Sequence, residues 1–184
     1  MKKNIKKTLL SILLLICIVG CTSIQTASSV VEDYLSSYQN LEYQILVDME
    51  TVINSEDLLT DDQKQIYREI LKKQYSDLYY EVIYERYNND EAIVGVNITV
   101  YNYYETQKES GEYLSSNPNE FNNEDGKYDV SLYMDYKLSM YQSDINRITN
   151  YCEFLLIKED GIWKIKEINN DVLEKIHGIY NYEQ

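Results

Sequence analysis

Phe154-Leu-Leu-Ile-Lys-Glu-Asp-Gly-Ile-Trp-Lys-Ile165 places two apolar, β-branched-rich runs on either side of Glu159-Asp160-Gly161. Asp-Gly between such runs is a strong short-range signal for a hairpin, because both residues tolerate the positive φ that a tight turn needs. A strand from about Arg147 to Lys158 therefore returns through Ile162-Trp-Lys-Ile-Lys-Glu-Ile168. Downstream, Asp171-Val-Leu-Glu-Lys-Ile-His177 reads as a closing helix that Gly178 terminates. Upstream, Tyr79–Tyr87 and Ala92–Tyr104 are rich in aromatic and β-branched residues and flank the turn cluster Asn88-Asn-Asp90, so 79–105 reads as a second hairpin. In its first strand Tyr80, Val82, Tyr84 and Arg86 alternate with Glu81, Ile83, Glu85 and Tyr87.

Ahead of both hairpins the apolar period is helical. Val30, Val31, Tyr34, Leu35 and Tyr38 form one stripe, opened by a capping-box pattern at Ser29 and Glu32. Leu41, Ile45, Leu46, Met49, Val52 and Ile53 form a second, ending at Asn54-Ser55. Thr60-Asp-Asp-Gln63 opens a third, with Ile66, Tyr67, Ile70, Leu71, Gln74, Tyr75 and Leu78 on one side. Between the hairpins, 106–127 holds Gly111, Pro118, Gly126 and many Asn, Glu and Ser, which predicts a loop or lid with at most a short helical turn. Val130, Tyr133, Met134, Lys137, Leu138 and Tyr141 then return to helical spacing. Helices first and hairpins later, without strand–helix alternation, predict α+β with a curved antiparallel sheet wrapping the helices.

The N-terminus follows a different logic. Four lysines in residues 1–7 precede the apolar run 8–20, the form of a secretory signal. The run is shorter than the ~20 residues of a membrane-spanning helix. It ends in Ile18-Val19-Gly20-Cys21, which resembles the lipobox of bacterial lipoproteins. That resemblance implies cleavage between Gly20 and Cys21 and acylation of Cys21, with residues 21–28 as a short tether and 29–184 as one domain. Acyl chains on Cys21 would make a lipid membrane the first partner and place the domain on the extracytoplasmic face of the cell membrane.

Loss of residues 1–20 takes basic residues from 17 to 13 against 31 acids, so the formal charge moves from −14 to −18. Nucleic acid is a poor partner for such a surface, since phosphate binding depends on Lys and Arg. Cys17 leaves with the signal and Cys21 takes the lipid, so Cys152 has no disulfide partner and reads as a buried thiol. The chain has 20 tyrosines against two phenylalanines and one tryptophan. Clusters such as Tyr79-Tyr80 and Tyr101-Asn-Tyr103-Tyr104 suit an aromatic recognition surface. A compositional bias that also favours Ile, Lys and Asn is the simpler account of them.

Val30-Val31-Glu32-Asp33-Tyr34-Leu35 and Phe154–Ile165 together resemble the opening helix and final hairpin of the NTF2-like (cystatin-like) α+β domains carried by small lipoproteins of low-GC Gram-positive bacteria. The resemblance covers about 29–178. It implies a cone, with N-terminal helices in the concave face of the sheet and Trp163 and Ile165 plugging its interior. The helix near 130–142, between the two hairpins, is extra to the simplest order. Enzymes of that superfamily place an acid–base site inside the cone, and Asp135, Tyr84, Tyr103 and Trp163 are the candidates for lining a pocket here.

Nothing in the spacing sets a base against a nucleophile, so no catalytic residue is assigned. The single histidine, His177, falls at a helix C-terminus, a common structural placement. Neither His-Glu-x-x-His nor paired cysteines occur, and Asn122-Asn-Glu-Asp-Gly126 lacks EF-hand spacing, so no metal and no cofactor is expected. The expected function is a non-enzymatic surface module binding a small-molecule ligand or an envelope protein. The alternative is a small isomerase- or dehydratase-like enzyme, which requires a closed pocket where a carboxylate and tyrosine hydroxyls converge.

Overall fold

The structure, a computed structural model, describes residues 25–178. The signal segment, Gly20 and Cys21, and Tyr180 and Tyr182 lie outside the described residues. Three helices come first: α1 (Ala27–Gln39), α2 (Tyr43–Ser55) and α3 (Asp61–Ser76). A hairpin of β1 (Tyr79–Asn88) and β2 (Glu91–Tyr101) follows, then α4 (Tyr103–Ser116), a 3₁₀ turn (Pro118–Phe121) and α5 (Val130–Ser143). The second hairpin, β3 (Arg147–Glu159) and β4 (Ile162–Ile165), leads to α6 (Asn170–His177). The four strands form one antiparallel sheet in the order β1-β2-β3-β4, and the chain is α+β as its patterning predicts.

One sheet face carries the core. Val94, Val96, Ile98 and Val100 of β2 and Cys152, Phe154 and Leu156 of β3 are buried against Val31 and Leu35 of α1, Ile70 and Leu71 of α3, and Val172 and Ile176 of α6. Removing such apolar surface from water is the main favourable term in folding. Trp163 and Ile165 join this core, as the hairpin reading expects. The other face exposes Tyr79, Tyr151 and Leu155. Helix α2 packs chiefly on α3 and leans over the gap between α1, α3 and α6.

Several local readings are corrected. Helix α1 starts three residues earlier than predicted: Thr26, not Ser29, is the N-cap, and the reciprocal bonds run between Thr26 and Ser29 rather than between Ser29 and Glu32. Strand β2 stops at Tyr101, and the first half of the segment expected to be a loop or lid belongs to the helix α4. The Asn102 side chain accepts from the Glu105 amide, and Glu105 sits in the first turn, where a carboxylate complements the helix dipole. The buried side of α4 is Tyr103, Thr106 and Ser110. Its spacing is helical, yet two of the three are hydroxyl residues, so no apolar stripe marks it. Gly111 costs α4 only about 1 kcal/mol relative to Ala.

The alternation in β1 breaks at a bulge between Val82 and Tyr84. A bulge adds one residue to one strand and reverses which face every later side chain takes. Tyr80 and Val82 pack toward the core, but beyond the bulge it is Glu85 and Tyr87 that face α1, bonding the amides of Ser28 and Ala27. Tyr84 is thereby turned to the outer face. Its ring lies over Gly95, where a Cβ would sit 2.3 Å from it.

Candidate functional site

The four residues proposed to line one pocket are not brought together. On the outer sheet face the Tyr84 hydroxyl lies 2.8 Å from that of Tyr151 and donates to Glu153, while Arg86 covers its ring at 4.4 Å. Trp163 is buried among core side chains and tilts against Tyr87, with centroids 5.3 Å apart. Tyr103 is fully buried at the start of α4, stacked on Tyr101 and packed against Tyr141. Asp135 is exposed on α5, where it accepts from Gln63 Nε2 at 2.8 Å across the α3–α5 seam. The cone interior is packed side chain at Trp163, not a cavity lined by these groups.

A different set does converge, and His177 is its centre. Helix α6 is capped by Asn169, which accepts from the Val172 amide, and ends at Gly178 with φ +67°. A Cβ at Gly178 would lie 2.2 Å from Gln74 Nε2 and 2.5 Å from the Tyr101 carbonyl, so only glycine fits there. Gln74, fully buried on α3, donates to the Tyr101 and His177 carbonyls and accepts from the Tyr101 amide. This clamp fixes the last turn of α6 against α3. It sets His177 Nδ1 2.7 Å from the Tyr75 hydroxyl.

Tyr38 of α1 meets the Tyr75 ring edge to face at 5.2 Å and lies 6.3 Å from the His177 ring. Tyr34 meets Tyr38 the same way at 5.5 Å, their hydroxyls 3.1 Å apart. Burial pushes His177 down to about 4 from an ordinary 6.5. Burial also raises the Tyr34, Tyr38 and Tyr75 hydroxyls above their usual range. At neutral pH the whole group is therefore uncharged, because a low-dielectric site disfavours the ionised form of each member. Either the Tyr75 hydroxyl or His177 Nδ1–H donates in their shared bond, according to the tautomer of the neutral ring.

Tyr34, Tyr38, Tyr75 and His177 line one of two clefts that meet beneath α2, and of these four only His177 also lines the other. One, of about 480 Å³, is walled by Tyr34, Tyr38, Ile45, Met49, Tyr75 and Ile168, with Glu42 and Asp48 among its residues. The other, of about 590 Å³, lies between α2, α3, α5 and α6, lined by Leu59, Tyr67, Leu71, Met134, Leu138 and Tyr141. Val52, Leu173 and His177 border both. Glu56, Glu174 and Lys137 also line the second cleft. Burial lowers the Lys137 ammonium below its ordinary range, and it lies 5.7 Å from the centre of the Tyr141 ring. The first cleft, with mostly apolar walls and a few polar groups, has the usual make-up of a small-molecule site, while the second is nearly as polar as apolar.

Tyr34, Tyr38 and Tyr75 all fall on the helical stripes visible in the sequence. Their convergence with His177 could not be read there, since it depends on how α1, α3 and α6 meet. His177 does occupy a last helical turn, as expected, but its ring faces the clefts. Cys152 is buried, its thiol pushed up to about 11 by that burial, so it lacks the thiolate character of a nucleophile. Among the described residues, no three His, Cys, Asp or Glu side chains are grouped to hold a metal ion. No described helix is long and apolar enough to cross a membrane. No protein-family model, no curated protein and no solved structure matches the chain.

Proposed function

We propose that the chain is a lipoprotein, anchored through acyl chains on Cys21 to the extracytoplasmic face of a cell membrane, and that its domain binds a small ligand without transforming it. The paired cleft beneath α2 carries the binding part of this reading. Its floor offers hydroxyl and imidazole groups that hydrogen-bond but carry no charge. An enzymatic reading needs a carboxylate converging with the tyrosine hydroxyls. Glu42 and Asp48 sit instead on exposed positions of the rim. His177, held near 4 with Nδ1 engaged by Tyr75, is a weak proton acceptor at neutral pH.

The anchor reading rests on the lysine-rich start, the apolar run 8–20 and Gly20-Cys21. Metabolic labelling with an alkyne fatty acid should tag the wild-type chain and leave Cys21→Ala untagged and released from membranes. Equal labelling of the two would remove the anchor. For the binding domain, neutral aromatic alcohols titrated into the protein should shift the amide resonances of Val52, Leu173 and His177. A spectrum unmoved at millimolar concentration by these alcohols and by aromatic ammonium compounds alike would argue against the cleft as a site.

A further inference from the structure

The smaller cleft has a definite electrostatic character. Its aromatic floor is Tyr34, Tyr38, Tyr75 and His177, and its carboxylates are Glu42 and Asp48, while neither lysine nor arginine lines it. A histidine would ordinarily add positive charge as pH falls. Burial keeps this one neutral down to about pH 4. Successive rings meet at steep angles, 78° for Tyr34–Tyr38 and 86° for Tyr38–Tyr75, so the floor is a corner of aromatic surfaces rather than a parallel stack. An aromatic face attracts a cation through the ring quadrupole, and more strongly when the site is partly desolvated. Helices α1 and α6 both end near the cleft, presenting the negative ends of their dipoles. Helix α2 begins there with the opposite sign, and Glu42 stands at its N-cap.

From these groups we propose that the smaller cleft binds an organic cation, an ammonium group bearing apolar substituents, with the charge over the ring of Tyr34, the least buried of the three tyrosines, and Asp48 and Glu42 as counter-charges. An inorganic cation is a poor occupant, because no three His, Cys, Asp or Glu side chains are grouped to hold one among the described residues. An anionic ligand is disfavoured by both carboxylates and by the formal charge of −14 on the whole chain. The same overall charge concentrates cations near the surface and speeds their encounter.

This inference rests on the cleft being the ligand site, and the experiment separates the two. The full chain in non-ionic detergent is titrated with choline, with benzyltrimethylammonium and with 3,3-dimethylbutan-1-ol, the uncharged analogue in shape of choline. Affinity is read by calorimetry and position by amide shifts at His177 and Val52. The expected result is that both ammonium compounds bind and the neutral alcohol binds at least about tenfold more weakly. Asp48→Asn and Glu42→Gln, at exposed positions that leave the core intact, should each weaken ammonium binding about three- to tenfold. Equal binding of choline and the alcohol at the same amides would overturn the cation reading and leave the cleft as a neutral-ligand site. No shift at those amides with any of the three probes would overturn both.

Discussion

His177 couples the clefts to the stability of the fold through a single proton. Its ordinary value is 6.5 and burial holds it near 4, so between those values the unfolded chain binds the proton and the folded chain does not. Stability from this group is complete above about pH 6.5 and is lost as pH falls toward 4. The loss should be on the order of 2 kcal/mol, allowing for relaxation around the ring. Urea denaturation at pH 7 and pH 5 tests this, with His177→Gln as reference. The wild type should lose stability relative to the variant over that interval, and parallel behaviour would show that burial does not suppress the charge. Glu50, Glu85 and Glu153, lowered by hydrogen bonds from Arg68, Ser28 and Tyr84 respectively, lose their contributions only at more acid pH. The interval above pH 5 is thus largely the histidine's own.

At the scale of elements, α6 depends on one buried amide. Gln74→Leu removes three hydrogen bonds and leaves the Tyr101 amide and carbonyl and the His177 carbonyl without the Gln74 partner. Stranding buried backbone groups costs about 1–3 kcal/mol each where water cannot reach them. The substitution should destabilise the protein by about 2–4 kcal/mol, and hydrogen exchange should show α6 and the end of β2 losing protection first. Uniform loss of protection across all helices would mean that the clamp is not local to α6. The same scale explains which elements were legible beforehand. Helices α2 and α3 and the two hairpins declare themselves through apolar period and turn chemistry. Helix α4 did not, because two of its three buried residues, Thr106 and Ser110, are small hydroxyl residues held by specific hydrogen bonds rather than by apolar contact. Thr106 donates to Asp144 at 2.5 Å, and Ser110 donates to the Gln107 carbonyl. Such hydroxyl-rich faces look like loops until their partners are known.

For the molecule as a whole, charge opposes compaction. With 31 acids against 17 basic residues, the folded surface repels itself more than the expanded chain does. Among the described residues the ion pairs are few and sit mostly at the surface, such as Lys175–Asp171 and Lys164–Glu159, where each contributes at most about 1 kcal/mol. Raising sodium chloride from about 20 mM to about 0.5 M shortens the screening length several-fold. The urea midpoint should therefore increase with salt, and a falling midpoint would show that attractive pairs outweigh the repulsion.

The order of elements apart from α4, the α+β class, the acidic character and the buried thiol at Cys152 follow from the sequence alone, because apolar period, turn residues and composition act locally or as sums over the chain. The cleft does not. Tyr38, Tyr75 and His177 are distant in sequence, and their meeting depends on the Gln74 clamp and on a glycine at Gly178 that only that packing requires. Tyr84 was sent to the outer face by one extra residue in β1, a choice made by strand pairing rather than by residue type. Tertiary structure decided these points because a side chain's direction is inherited from the register and angle of its element, which neighbours impose from far along the chain.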